Sequence, residues 1–371
     1  MKGRDFIMHR MGISLYPEHS TEQIDYEYMK LAAKYGFTRI FTCLLSVRES
    51  TEIVIDKFKR FIEQAHNLGF IVAVDTNISV FSKMGATPYD LKIFSDMKVD
   101  IIRLDGHFGE MEDIAITQNP YGIAIEFNGS SNIALDLMIE RGANTHNMIV
   151  CHNFYPQKYT GLGWNKFMEF TNKYKALGLS VAAFVSSNND KTFGPWPVYE
   201  GLPTCEMHRE LPIDLQVRHL LATNKIDDIL IGNAYATEDE LKAISQVNKT
   251  KITFKLELED NITEEEENII YNYPHFGRGD ASDYMTRSSM PRLDYKNKTI
   301  PYRKYHKEFF HRGDVVIVND NLPHYRGELE IVTKDLPNDG QRNFVARIPE
   351  QELILLKLLK PEYPFGFIKI Q

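Results

Sequence analysis

The sequence predicts an α/β chain: a (β/α)8 TIM barrel followed by a smaller, mostly β region. Three observations carry this. Eight short β-branched or apolar runs recur between residue 11 and residue 248, at roughly the ~30-residue spacing of a ~250-residue barrel divided by eight. Helical patterns separate most of these runs. Past residue 250 the hydrophobic period changes to two, the period of a half-buried antiparallel strand.

The runs lie at Gly12–Tyr16, Arg39–Leu45, Ile71–Asp75, Ile101–Asp105, Gly122–Phe127, Asn147–Asn153, Val181–Ser186 and Asp228–Asn233. Their near-continuous apolar character suits strands buried on both faces. Ser20 and Gln23 read as a capping box before Ile24, Tyr28, Leu31, Ala32 and Tyr35, and Gly36 stops that helix. Val54, Phe58, Phe61, Ile62, Ala65 and Leu68 form the next stripe, ended by Gly69. Trp164, Phe167, Phe170, Tyr174 and Leu177 form a later one, ended by Gly178. A left-handed residue after a helix favours glycine. Thr237 and Glu240 form a second capping box after the eighth run. No GxGxxG or GxxxxGK[ST] follows any strand, which disfavours an open nucleotide-binding sheet.

The expected division is 1–248 for the barrel and 249–371 for the β region. In the latter, KITFKLELED alternates strictly, and strands are expected at Asp314–Val318, Leu329–Thr333 and Phe344–Ile348. HFGRGDASDYMTRSSMPR reads as a long polar segment rich in turn formers, and Glu352–Leu359 as a short helix.

Composition narrows the function. Lys plus Arg number 43 against 51 Asp plus Glu, a net charge of −8. With no basic block, the chain has no footprint for nucleic acid or an anionic membrane. No run approaches the ~18 apolar residues of a membrane span. MKGRDFIMHRMGISLYPEHS has no apolar stretch behind its basic residues and does not read as a secretory signal. Cys43, Cys151 and Cys205, odd in number and widely spaced, suit reduced thiols and a cytoplasmic setting.

Barrel enzymes place their chemistry at the C-terminal ends of the strands. Four such ends carry a carboxylate: Glu18, Asp75, Asp105 and Glu126. Residues two apart share a face, so Arg103 and Asp105 point together, as do Gly122, Ala124 and Glu126. Arg103 beside Asp105 favours the ionised carboxylate, while a buried Glu126 would hold its proton. Two carboxyls pushed to different proton affinities are what glycoside hydrolysis needs. The alternative for Arg103–Asp105 is a structural ion pair.

Further strand-end residues suited to binding substrate are Tyr16, His152, Asn153, Tyr155, Ser186 and Asn188. Tyr16, Phe127, Phe154, Tyr155 and Trp196 could stack on sugar faces or simply pack the loops. Phosphate donors could come from Ser186, Ser187, Asn188 and Lys191, or from Arg278, Arg287, Ser288 and Ser289. No HxH or HExxH pair appears, and neither a metal nor another cofactor is expected.

MGISLYPEHS, RIFTCLL, IVAVDTN, IIRLDG and HNFYP, followed by HFGRGDASDYMTRS, resemble the bacterial 6-phospho-N-acetylmuramidase family across essentially the whole chain. The resemblance implies a TIM barrel with a cyclophilin-like β domain. It also implies cytoplasmic hydrolysis of the β-1,4 bond between N-acetylmuramic acid 6-phosphate and N-acetylglucosamine, in cell-wall recycling. It assigns no nucleophile or acid, so the catalytic reading rests on the strand ends. Arg103-x-Asp105 with Glu126 is also similar to the α-amylase superfamily arrangement, although those enzymes cleave α-linkages. A 2-acetamido substrate could supply its own nucleophile. Rival readings are a metal-dependent sugar-phosphate isomerase, epimerase or lyase, and a non-catalytic carbohydrate sensor. The β region could cap the site or pair two copies of the chain.

Overall fold

The computed structural model describes residues 9–45 and 51–369. The N-terminal residues on which the leader reading partly rests, 1–8, lie outside them. The chain divides into two compact units, 1–220 with 224–247 and 248–371 with 221–223.

The first unit is a closed barrel of eight parallel strands in sequence order. They are β1 (Arg10–Ser14), β2 (Arg39–Cys43), β3 (Ile71–Thr76), β4 (Ile101–Leu104), β5 (Ala124–Asn128), β6 (Met148–Cys151), β7 (Ser180–Val185) and β8 (Asp228–Ile231). All eight apolar runs are strands. β1 closes against β8 with Gly12 opposite Leu230. A Cβ on Gly12 would lie 2.9 Å from the Arg39 carbonyl oxygen on β2 and 3.0 Å from a Leu230 methyl on β8, so this position admits only glycine without a shift. Gly36, Gly69 and Gly178 adopt φ of +81°, +88° and +76° after their helices, the left-handed stop their positions imply.

Two sequence readings need correction here. The first helix (Glu22–Lys34) is capped by Thr21, whose hydroxyl accepts from the Ile24 amide at 3.4 Å. Ser20 instead donates to Asp25 at 2.6 Å, so the expected Ser20–Gln23 box is displaced by one residue. Gly122 is not part of β5: it adopts φ +70° ahead of the strand, leaving Glu126 as the middle residue of five. The Thr237–Glu240 capping box forms as read.

Strand register sets the depth of each inward residue. Cys43 pairs with Asp75, Asp75 with Arg103, Arg103 with Glu126, Glu126 with Ile149, and Ile149 with Ser180. Cys43 is the last residue of β2 and Ser180 the first of β7. One register row therefore descends from the mouth to the floor, as the tilt and shear of a closed barrel require. Asp75 sits near the top of this row and Glu126 well below it.

The second unit holds β9 (Ile252–Lys255), β10 (Glu257–Leu258), β11 (His275–Phe276), β12 (Met285–Ser288), β13 (Phe309–Phe310), β14 (Asp314–Val318), β15 (Leu329–Val332), β16 (Leu336–Pro337), β17 (Arg342–Arg347) and β18 (Pro364–Ile368). A five-stranded sheet runs β10-β17-β14-β15-β12, a three-stranded sheet runs β11-β18-β9, and β13 pairs with β16. KITFKLELED, expected as one strand, is divided between two sheets: β9 pairs with β18 and β10 with β17. The segment expected as turns contains β11, β12 and a helix from Met290. Of the helix expected at Glu352–Leu359, α-helix forms only over Leu353–Leu356. Phe310, Val316, Val332, Leu336 and Phe344 form a core cluster against which Tyr305 stacks.

Candidate active site

At the C-terminal end of the barrel, β3 and β4 are locked together. The Thr76 hydroxyl donates to the Arg103 carbonyl at 2.8 Å, and the Asp105 amide donates to the Thr76 carbonyl at 2.9 Å. Alternation then turns Asp75, Arg103 and Asp105 inward. Arg103 Nη1 donates to Asp75 Oδ1 at 2.6 Å and lies 3.7 Å from Asp105 Oδ1. Its Nη2 donates to the side-chain carbonyl of Asn153. Asp75 and Arg103 are buried, while Asp105 is exposed. One guanidinium thus joins a buried carboxyl to an open one.

Burial raises the Asp75 carboxyl to about 6; the Arg103 charge opposes this, and the charge on Asp105 adds to it. Asp75 is therefore a carboxyl that can carry a proton near neutrality. Cys43, on the neighbouring strand, brings its Sγ to 3.9 Å from Asp75 Oδ2.

Glu126, opposite Arg103 on the neighbouring strand, takes a different partner. Its carboxylate accepts from Arg39 Nη2 at 2.7 and 2.5 Å, and both side chains are fully buried. Arg39 Nη1 reaches Asp228 Oδ2 at 2.5 Å, and Asp228 takes two bonds from Arg10 at 2.8 Å. This ladder Arg10–Asp228–Arg39–Glu126 runs through the barrel interior, with Glu126 as the buried ion-pair partner of Arg39.

The other expected residues separate. Tyr16 is buried and donates to the Gly232 carbonyl at 2.6 Å. Glu18 is half-buried in the short turn Pro17–His19 that follows it. Asn153 is part of the Arg103 cluster. His152 faces outward: Nε2 meets the Thr171 hydroxyl at 3.0 Å and its ring packs on Phe167. Burial, with Arg103 nearby, lowers its pKa to about 3. Tyr155 is half-buried, its amide donating to the Pro203 carbonyl at 3.1 Å. Ser186 is buried and accepts from the Leu202 amide at 3.0 Å. Asn188 donates to the Leu211 carbonyl at 2.9 Å.

Arg278 and Arg287 belong to the second unit, where they line a cavity of about 210 Å³ with Ser282, Thr286 and Thr333. Arg278 donates to both oxygens of Asp280 at 2.7 and 2.8 Å, and Arg287 lies 3.1 Å from the same carboxylate. Sequence reading missed Ser130, whose hydroxyl accepts from the Asn153 amide at 2.9 Å and so steadies the Arg103 cluster. The available signal was the Asn128-Gly-Ser turn, in which Asn128 Oδ1 accepts from the Ser130 amide at 2.9 Å. Among the described residues no group of three or more His, Cys, Asp or Glu side chains is placed to hold a metal ion.

A TIM barrel with a buried, Arg-paired carboxyl beside an exposed one at its mouth is built for acid–base work on a polar substrate. Residues 11–246 match the N-terminal region of 6-phospho-N-acetylmuramidase and residues 252–368 match its C-terminal region. The chain belongs to the 6-phospho-N-acetylmuramidase family and is a glycoside hydrolase. It is similar to an uncharacterized Bacillus cereus protein of known crystal structure at 40% identity and a TM-score of 0.90, covering 98% of this chain and 100% of that one. A conserved Enterococcus faecalis protein of unknown function shares the fold at 23% identity and a TM-score of 0.70, covering 97% of this chain and 96% of that one. Comparison with curated proteins gives no match.

Proposed function

We propose that the chain hydrolyses the β-1,4 bond between N-acetylmuramic acid 6-phosphate and N-acetylglucosamine, in the cytoplasm, during recycling of the cell wall. Family membership over both regions supports the substrate class. The observation that carries the chemistry is the sharing of Arg103 by Asp75 and Asp105.

In this reading Asp75 is the proton donor. Desolvation keeps its carboxyl protonated up to a pH of about 6, so it can protonate the departing sugar oxygen. Asp105, the open carboxylate, faces the positive charge that develops at the anomeric carbon. Arg103 holds Asp75 by a hydrogen bond and faces Asp105 at ion-pair range, and Asn153 fixes Arg103. The Asp75 and Asp105 oxygens that share Arg103 Nη1 lie 2.6 and 3.7 Å from it. The nucleophile in this reading is Asp105 or the substrate acetamido group, and either gives net retention.

The test is a paired assay with a chelator present. The purified chain is given the 6-phosphorylated disaccharide and the same disaccharide without phosphate, and products are read by mass spectrometry. Cleavage of the phosphorylated compound alone is expected. Cleavage of neither, by protein that still binds the sugar, would contradict the proposal.

A further inference from the structure

The five aromatic side chains grouped near the strand ends in the sequence have different fates. Tyr16 and Phe127 are fully buried, and Tyr155 is half-buried. Phe154 packs edge-on against Phe41 and Phe184, at centroid distances of 5.8 and 5.1 Å, and those two rings meet each other at 5.2 Å. Trp196 packs on Phe154 at 6.1 Å and is 39% exposed. Two buried rings and the half-buried Phe154 therefore underpin one indole at the surface.

That indole is held in place. Pro195 and Pro197 restrict the backbone on either side of it. A His19 ring nitrogen meets the Pro195 carbonyl at 3.1 Å, and the Val198 amide donates to the Trp196 carbonyl at 2.8 Å. Phe193 exchanges two backbone hydrogen bonds with Ala234, at 2.6 and 2.9 Å, which ties the loop back to the end of β8. The loop is pinned, so little side-chain freedom remains to be lost when a ligand arrives. Phe154 directly follows Asn153, the residue that receives Arg103, which places the indole within a short relay of contacts from Asp75.

An exposed, fixed aromatic face beside acid–base groups suits the C–H face of a pyranose ring. The side chains flanking it, Pro195, Pro197 and Phe154, carry no charge. A phosphorylated ring needs cationic donors, whereas N-acetylglucosamine offers an uncharged ring and an acetamido methyl. We propose that Trp196 is the stacking platform for the N-acetylglucosamine ring of the disaccharide. The assignment rests on the function proposed above.

The sequence contains two tryptophans, so Trp164→Phe leaves Trp196 as the sole indole emitter. Titration of that variant with N-acetylglucosamine should shift the emission saturably, and N-acetylmuramic acid 6-phosphate alone should not. On the phosphorylated disaccharide, Trp196→Ala should raise KM about tenfold with kcat little changed, the size of losing one modest apolar contact. Trp196→Tyr should recover most of that loss. An unchanged KM in Trp196→Ala, or emission that answers only to the phosphorylated sugar, overturns the assignment while leaving the hydrolase reading intact. Should Trp196→Ala fail to fold, the titration decides alone. A wild-type chain that cleaves nothing overturns the hydrolase reading instead, which keeps the two failures apart.

Discussion

Arg103 donates to Asp75 at 2.6 Å with both side chains buried, yet the Asp75 carboxyl stays raised to about 6. Desolvation outweighs the ion pair. The same guanidinium that orients Asp75 therefore leaves it able to hold a proton, and the pH dependence of catalysis follows. A proton donor works only in its protonated form, so kcat/KM should fall as pH rises through about 6. Removing the proton in Asp75→Asn should cost about 10²–10⁴-fold in kcat. A pH–rate profile of the wild type, with kcat of the variant, checks both.

Glu126 makes the contrasting prediction. Arg39 is shared between Glu126 and Asp228 inside the barrel, and removing one partner of a buried ion pair leaves an uncompensated charge. Arg39→Leu should destabilise the fold by about 3–5 kcal/mol, measured by denaturant unfolding. Variants of Glu126 should lose stability before they lose turnover per folded molecule.

Stereochemistry supplies an independent check. With Asp105 or the substrate acetamido group as nucleophile, the first product seen by proton NMR should be the β anomer of N-acetylmuramic acid 6-phosphate, equilibrating later. Immediate appearance of the α anomer would contradict both nucleophiles and require direct attack by water.

Acid sensitivity of the fold should trace to buried histidines. Burial lowers His152 to about 3 and His275 to about 4, against roughly 6.5 in an unfolded chain. Between those values the unfolded chain binds protons that the folded chain refuses. Their contribution to stability is complete above about pH 6.5 and is lost as pH falls. Asp75, raised instead of lowered, works in the opposite direction below pH 6 and offsets part of this. His152→Gln should therefore lose less Tm than wild type on going from pH 7 to pH 5, measured by thermal melts.

The fold was legible where local pattern suffices. Each barrel strand announces itself as an apolar run, and Gly36, Gly69 and Gly178 mark helix ends by a backbone conformation that other residues disfavour. The second unit was less so: β9 and β10 are contiguous in sequence but pair with different strands, and period two does not encode a partner. The residues of the candidate site were legible by type, but their depth in the barrel was not. Asp75, Arg103, Asp105 and Asn153 come together, whereas Glu126 has the same alternation and a similar position in its run. What separates Glu126 is the shear of the barrel, a property of closure around eight strands. Side-chain direction decides His152 in the same way, since alternation turns it toward the helix Trp164–Ala176.

The proposed proton donor to the phosphorylated disaccharide is Asp75, not Glu126. Its most direct test is the turnover of Asp75→Asn and Glu126→Gln, each corrected for folded fraction, on N-acetylmuramic acid 6-phosphate–N-acetylglucosamine at one pH near 6. The account requires Asp75→Asn to be folded and nearly inactive, and Glu126→Gln to be less stable but active in its folded fraction. A folded, inactive Glu126→Gln beside an active Asp75→Asn would contradict it.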